Sequence, residues 1–159
     1  MINKHVNKNA IIIFTILIIW GGYYLYSQMS AEFPSEPPKT VIKCNDKAIP
    51  TSFGDFSWVP KSGGSNNETQ GEYTVGKKTS KFTAKPGDVV HISICSKPKI
   101  MEIVQIQDIN KYKEYKTFTG AKEYVFTLPM EKGEYIFNVF ARWNANNHNT
   151  ATIFQVEIK

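Results

Sequence analysis

Cysteine, histidine and arginine are scarce in this 159-residue chain, and each scarcity excludes a class of function. There are two cysteines, Cys44 and Cys95, three histidines and a single arginine, Arg142. No Cys-x-x-Cys or His-x-x-x-His spacing occurs. His91 and Cys95 are close in sequence but lack the further ligands a zinc site requires, so no metal or other cofactor is expected. From Thr40 onward the basic residues are scattered, and Lys77-Lys78 is the one adjacent pair. Nucleic-acid binders gather Lys and Arg on one face, so no nucleic-acid partner is expected. The formal net charge of +5 is mild and implies solubility with a weak pull toward anionic surfaces. Also missing are a Gly-x-Ser-x-Gly elbow, a Walker loop and a Gly-x-Gly-x-x-Gly turn.

Charge is absent from one long stretch, between Lys8 and Glu32. Inside it, Ala10–Tyr26 reads AIIIFTILIIWGGYYLY. The large apolar residues of Ile11–Ile19 favour insertion by roughly −2 to −5 kcal/mol, at about −0.3 to −0.6 each. Gly21-Gly22 weakens the helix without reversing that sign. Residues 10–29 thus reach the ~20 positions a spanning helix requires. Trp20, Tyr23, Tyr24 and Tyr26 crowd the C-terminal end, as an interfacial aromatic belt would. Lys4 and Lys8 precede the segment; Glu32 and Glu36 follow it. By the positive-inside rule residues 1–9 are then a cytoplasmic tail, and the C-terminal domain is extracellular. A cleaved signal peptide would need an A-x-A-like site, which Ser27-Gln28-Met29 and Met29-Ser30-Ala31 match poorly. A lipoprotein would need a cysteine at the end of the apolar run.

Residues 30–39 form a Pro-rich linker. Three prolines in Glu32–Lys39 (EFPSEPPK) break helix and favour an extended spacer. From residue 40 the hydrophobic period becomes two. Val90, Ile92 and Ile94 alternate with His91 and Ser93. Ile100–Ile106 is β-branched, and Tyr124–Leu128 is a short strand. Tyr135, Phe137, Val139, Ala141 and Trp143 share one face opposite Asn138 and Arg142. Thr152, Phe154, Val156 and Ile158 share another. Asn144–Asn149 (NANNHN) is a polar hairpin loop between the last two strands. Lys61–Gly71 is a long polar loop, and no convincing helical stripe follows Met29; Lys111–Gly120 is the one doubtful stretch. These short strands predict an all-β fold, an antiparallel immunoglobulin-like sandwich over 40–159, preceded by one transmembrane helix.

Both cysteines fall in the exterior domain, where oxidation is permitted. A Cys44–Cys95 disulfide is the expectation. It would close a loop of about 50 residues and add roughly 4 kcal/mol in the chain-entropy model. The alternative is two buried thiols acting as small apolar groups. Carboxylate pairs such as Glu131/Glu134 and Asp55 near Glu68 read as solvated surface charge, because an acid–base pair needs burial and separated pKa values. Trp58 and Trp143 could stack on a sugar, but both continue apolar strand faces and read as core.

Three stretches, IPTSFGDFSW (Ile49–Trp58), VVHISICSKPKIMEIVQI (Val89–Ile106) and GEYIFNVFARWNANNHNTATIFQVEIK (Gly133–Lys159), together resemble a group of small uncharacterised envelope proteins of Gram-positive bacilli. Those carry an N-terminal anchor or lipobox and a Gly-x-Tyr strand with a Trp, a loop and a last Phe-x-Val strand. Ser57 stands where that group tends to have cysteine, so a bridge here would join different strands. The resemblance implies an envelope location and a fold, with no activity attached. The chain is accordingly expected to be a non-enzymatic, single-pass cell-membrane protein. Its extracellular domain would recognise an envelope protein or wall polymer through two loops. The candidate residues are Ser65, Asn66 and Asn67 in one, and Asn144, Asn146, Asn147 and His148 in the other. Alternatives are a sensory ectodomain acting through a membrane partner, hampered by its short tail, and a cryptic cell-wall hydrolase.

Overall fold

A computed structural model describes residues 8–29, 34, 36–59, 65–144 and 148–159. They belong to two compact units, Met1–Phe33 and Pro34–Lys159.

The first unit contains one helix, α1, Lys8–Met29. It has no acid in its first turn, no base in its last, and no apolar stripe. Ile13, Phe14, Leu17, Trp20 and Tyr23 are all exposed, so apolar side chains surround the axis. Such a helix cannot bury one face and leave the other in water. The described side chains run from Ile13 to Tyr24, about 18 Å at 1.5 Å per residue. Among the described residues no helix is long and apolar enough to cross a membrane.

The second unit is mostly strand, arranged as two predominantly antiparallel sheets in a sandwich. Its strands are β1 Thr40–Cys44, β2 Lys47–Ala48, β3 Thr51–Trp58, β4 Ser65–Asn67, β5 Lys81–Ala84, β6 Val89–Ile94, β7 Ile100–Asp108, β8 Lys111–Thr119, β9 Tyr124–Thr127, β10 Gly133–Asn144 and β11 His148–Ile158. A short helix, α2 (Glu72–Lys78), interrupts them. The smaller sheet has the order β2-β1-β6-β9. The larger has the order β4-β3-β11-β10-β7-β8, and β5 pairs parallel with the last residues of β11.

Period-two patterning sets which face each strand buries. Cross-strand partners share a face, so the pairs Phe137↔Phe154 and Val139↔Thr152 define the inner face of β10 and β11. Val90 and Ile92 of β6 and Ile42 of β1 are buried on the facing sheet. Phe137 is the centre of this core. Its ring stacks on Phe154 at 5.3 Å and meets Phe126 of the opposite sheet edge-on at 5.7 Å. One flank of the sandwich is laced by side chains: Tyr115 Oη donates to the Thr127 carbonyl and Lys116 Nζ to that of Val125. These bonds satisfy outward carbonyls of edge strand β9 that would otherwise invite another chain.

The outer face of the larger sheet is also covered, which the sequence pattern does not anticipate. Ile106, Ile136 and Ile153 form a second buried cluster beneath Tyr73 and Val75 of α2. Asn138, expected to face solvent, is therefore 5 % exposed. The helix comes this close because residue 76 is glycine: a Cβ there would lie 2.3 Å from Ile136 Cγ2. Part of the polar stretch 61–71 is strand rather than loop, since β4 pairs with β3. The doubtful stretch Lys111–Gly120 is a strand, β8, apart from its last residue.

The expected disulfide does not form. Cys44 and Cys95 are both free thiols, Cys44 buried and Cys95 exposed. Their strands do pair, but Cys44 is opposite Val90 and Thr40 is opposite Ile94. The two cysteines therefore mark opposite ends of the β1–β6 ladder, roughly 17 Å apart at ~3.3 Å per residue. A bridge needs Cα atoms about 4.4–6.8 Å apart.

Candidate functional site

The two polar segments singled out in the sequence are brought together by β3. In its register Trp58 is opposite Ser65 on one side and His148 on the other. The β4 segment and the β10–β11 hairpin thus flank the same end of the larger sheet. Asn144 pairs with His148 across the hairpin, while Asn146 and Asn147 lie outside the described residues.

One residue further along, the same pairings align a transverse polar row on the outer face. Asn66 is opposite Ser57, Ser57 opposite Asn149, and Asn149 opposite Arg142. At about 4.8 Å between strands the row spans roughly 14 Å. It is pre-ordered by its own bonds. Ser57 Oγ donates to Asn66 Oδ1 at 3.0 Å, and Ser57 N donates to Asn149 Oδ1 at 3.2 Å. Asn67 Nδ2 donates to the Gly54 carbonyl. The Arg142 guanidinium lies 5.4 Å from the centre of the Phe140 ring, and its Nη2 is 3.6 Å from Glu102 Oε2. Two amides, a hydroxyl and an arginine make this row rich in neutral and positive donors. It suits a partner offering carbonyl or hydroxyl acceptors.

Beneath the row, on the inner face, lies an aromatic support. The Trp58 ring meets Trp143 at 5.2 Å and His148 at 4.9 Å, both edge-on. Trp58 Nε1 donates to the Pro34 carbonyl, and Trp143 Nε1 bonds to Ser96. Both tryptophans are core residues, as their strand patterns imply. His148 belongs with them: it is 7 % exposed, and it serves packing rather than the loop surface proposed for it. Ser57, Asn149 and Arg142 were not among the sequence candidates. Arg142 was read as outward-facing, but its alignment with Asn66 depends on β3 inserting between β4 and β11.

Several of the described carboxylates sit in local ion pairs and hydrogen bonds. Glu134 is ion-paired with Lys81 and Lys77, and the hydrogen bond from Lys81 holds its pKa below the usual range. Asp55 Oδ1 accepts from both the amide and the hydroxyl of Thr69. Glu72 differs. Burial pushes its pKa up, opposed by a 2.7 Å hydrogen bond from Asn138 Nδ2, while nearby Asp55 adds to the rise. The Asn138 Oδ1 atom is buried with no hydrogen-bond partner among the described residues. Among the described residues no group of His, Cys, Asp or Glu could hold a metal ion. Gly71–Lys78 has the glycine spacing of a phosphate-binding loop, but Lys78 occupies the Ser/Thr position and residues 72–78 are helical. Burial, followed by the neighbouring Asp88 carboxylate, raises the Cys44 thiol, which keeps it protonated and unreactive at neutral pH.

No protein-family model matches the chain, and no curated protein matches it.

Proposed function

We propose that this chain is a membrane-anchored, non-enzymatic binding module of the cell envelope, with its sandwich outside the membrane. The observation that carries the reading is the convergence of Asn66, Ser57, Asn149 and Arg142 into one pre-bonded row. Ordered donors on a rigid sheet lose little entropy on binding, which favours recognition. The partner class is an acceptor-rich wall polymer or the exposed backbone of an envelope protein. The anchor is read from the sequence of residues 10–29, an uncharged and mainly apolar run of the ~20 positions a spanning helix requires. The basic residues ahead of it and the acids behind favour an exterior C-terminus. The resemblance to small Gram-positive envelope proteins points the same way.

For the sandwich we propose an immunoglobulin-like arrangement. Strands β1, β6 and β9 then correspond to A, B and E, and β11, β10, β7 and β8 to G, F, C and C′. The segment from β2 to α2 is an insertion between β1 and β5, and it supplies half of the polar row.

Two experiments test the proposal. Cys95 is a native exposed thiol, so a membrane-impermeant maleimide should label it on intact cells. Labelling that appears only after lysis would reject the exterior placement. A photocrosslinker at Asn66 or Arg142 should capture envelope material, whereas one at exposed Val41 of the other sheet should not. Equal capture from both faces would reject the row as the binding face.

A further inference from the structure

A second site, sharing no residue with the polar row, lies at the other end of the sandwich. The inward face of β7 runs Met101, Ile103, Gln105: the first two are fully buried, and the third is a half-buried amide. Gln105 is opposite Phe137 of β10 on one side and Lys113 of β8 on the other, so Gln105 and Lys113 both stand on the core face. Tyr135, next along the inner face of β10, stacks at 6.2 Å on Phe137. Gln105, Lys113, Tyr115 and Tyr135 line a cleft of about 400 Å³ together with the connection Pro129–Glu131. That volume is within the ~300–1,000 Å³ of small-molecule sites. Residues 30–33, 35, 60–64 and 145–147, which lie outside the description, join it at Pro34, Trp58, Asn144 and His148, all at the opposite end. Asn144 is roughly 30 Å from Tyr135 along β10, at ~3.3 Å per residue.

The walls of the cleft are held in place, and its polar groups are uncommitted. Tyr115 Oη donates to the Thr127 carbonyl and Tyr135 Oη to the Glu131 carbonyl, both at 3.0 Å, so each ring is fixed and offers its face rather than its hydroxyl. Gly133 places no side chain against the Tyr135 ring: a Cβ there would stand 3.6 Å from it. The connection is pinned by Leu128 N, which donates to the Asp88 carbonyl at 2.8 Å. In contrast, the side chains of Gln105, Gln107, Lys113 and Glu131, all on the lining, have no hydrogen bond or ion pair among the described residues. The two amides donate and accept, Lys113 donates, Glu131 accepts, and the two charges cancel. An anion or a cation would use only half of this set. An apolar occupant would strip water from it and return no bond. The matching ligand carries no net charge, many donors and acceptors, and an apolar face for an aromatic ring. At ~30 Å³ for each water-sized group, the cleft holds roughly thirteen, about the size of one hexose. We propose that this cleft binds an uncharged pyranose sugar, stacked on a tyrosine ring and hydrogen-bonded by Gln105, Gln107, Lys113 and Glu131.

The test is a titration of the full chain in polyoxyethylene-ether micelles, which carry no sugar. It is read by amide chemical shifts and by the ligand's own proton shifts. The probes are glucose, N-acetylglucosamine and chitotriose, with glycine as the zwitterionic comparison. Saturable shifts at Gln105, Lys113 and Tyr135 are expected with a sugar, and the sugar's ring protons should move upfield over the tyrosine. Tighter saturation by chitotriose assigns the end of a glycan, and equal affinity for the monosaccharide assigns a single free sugar. Tyr135→Leu should abolish the upfield shift. Gln105→Ala and Glu131→Ala should each weaken the apparent Kd at least ~fivefold, the loss of one hydrogen bond. Thermal unfolding of each variant confirms that it is folded. Absence of a saturable shift with every sugar would overturn the proposal, as would unchanged affinity in both folded alanine variants. Saturation by glycine alone would replace the sugar with a zwitterion. Sugar-dependent shifts confined to Ser57, Asn66 and Arg142 would move the sugar to the polar row and reject the cleft.

Discussion

At the residue scale, packing and protonation make separable predictions. Phe137 is fully buried between Phe154 and Phe126. Phe137→Ala should cost about 3–5 kcal/mol in urea unfolding. Glu72 makes a prediction about pH. Its folded pKa is raised, so between its ordinary value near 4.5 and the higher folded value the native state holds more proton than the unfolded state. Stability from this group therefore falls as pH rises through that window, and the penalty is complete above it. The charged and titratable groups on the same side of the larger sheet include Asp55 of β3, Tyr112 and Glu114 of β8, Glu102 of β7 and Arg142 of β10. The first two couple directly to Glu72 or its neighbours. A neutral glutamine could accept from Asn138 Nδ2 and also donate to its unpartnered Oδ1. Glu72→Gln should thus stabilise the fold by about 1 kcal/mol at pH 7 and flatten the stability profile from pH 4 upward. Unfolding midpoints measured across that range, relative to wild type, decide it.

At the scale of elements, α2 and the β8–β9 flank show how much rests on single contacts. Helix propensity alone says Gly76→Ala should gain about 1 kcal/mol. The 2.3 Å approach to Ile136 says otherwise. Overlap forces the helix off the sheet, and a net loss of about 1–3 kcal/mol is expected. Hydrogen exchange should then quicken at Ile136 and Ile153 while the Phe137 amide stays protected. Tyr115→Phe removes only the bond to the Thr127 carbonyl and should cost about 1 kcal/mol. Legibility differs between these elements for a physical reason. β10 and β11 each carry a period-two stripe long enough to read. α2 has seven residues and a central glycine, and its apolar side depends on what it covers. Asn138 looked solvent-facing because the cover comes from a segment 60 or more positions earlier.

At the scale of the whole molecule, the cysteines distinguish topology from composition. Thiol titration of the unreduced protein should find one reactive group, Cys95, under native conditions and both after denaturation. Absence of both thiols would contradict the β1–β6 register. Composition and charge spacing by themselves determined the division into an apolar N-terminal helix and a β-rich remainder. Alternating residues determined which side of β6, β10 and β11 faces the core, because side-chain direction is a local property of an extended chain. They could not determine that Cys44 and Cys95 stand at opposite ends of one ladder. Nor could they align Asn66 with Arg142. Those relations join residues far apart in sequence, and strand order and register decide them. Strand order and register are set by the sum of all core contacts, which no local stretch contains.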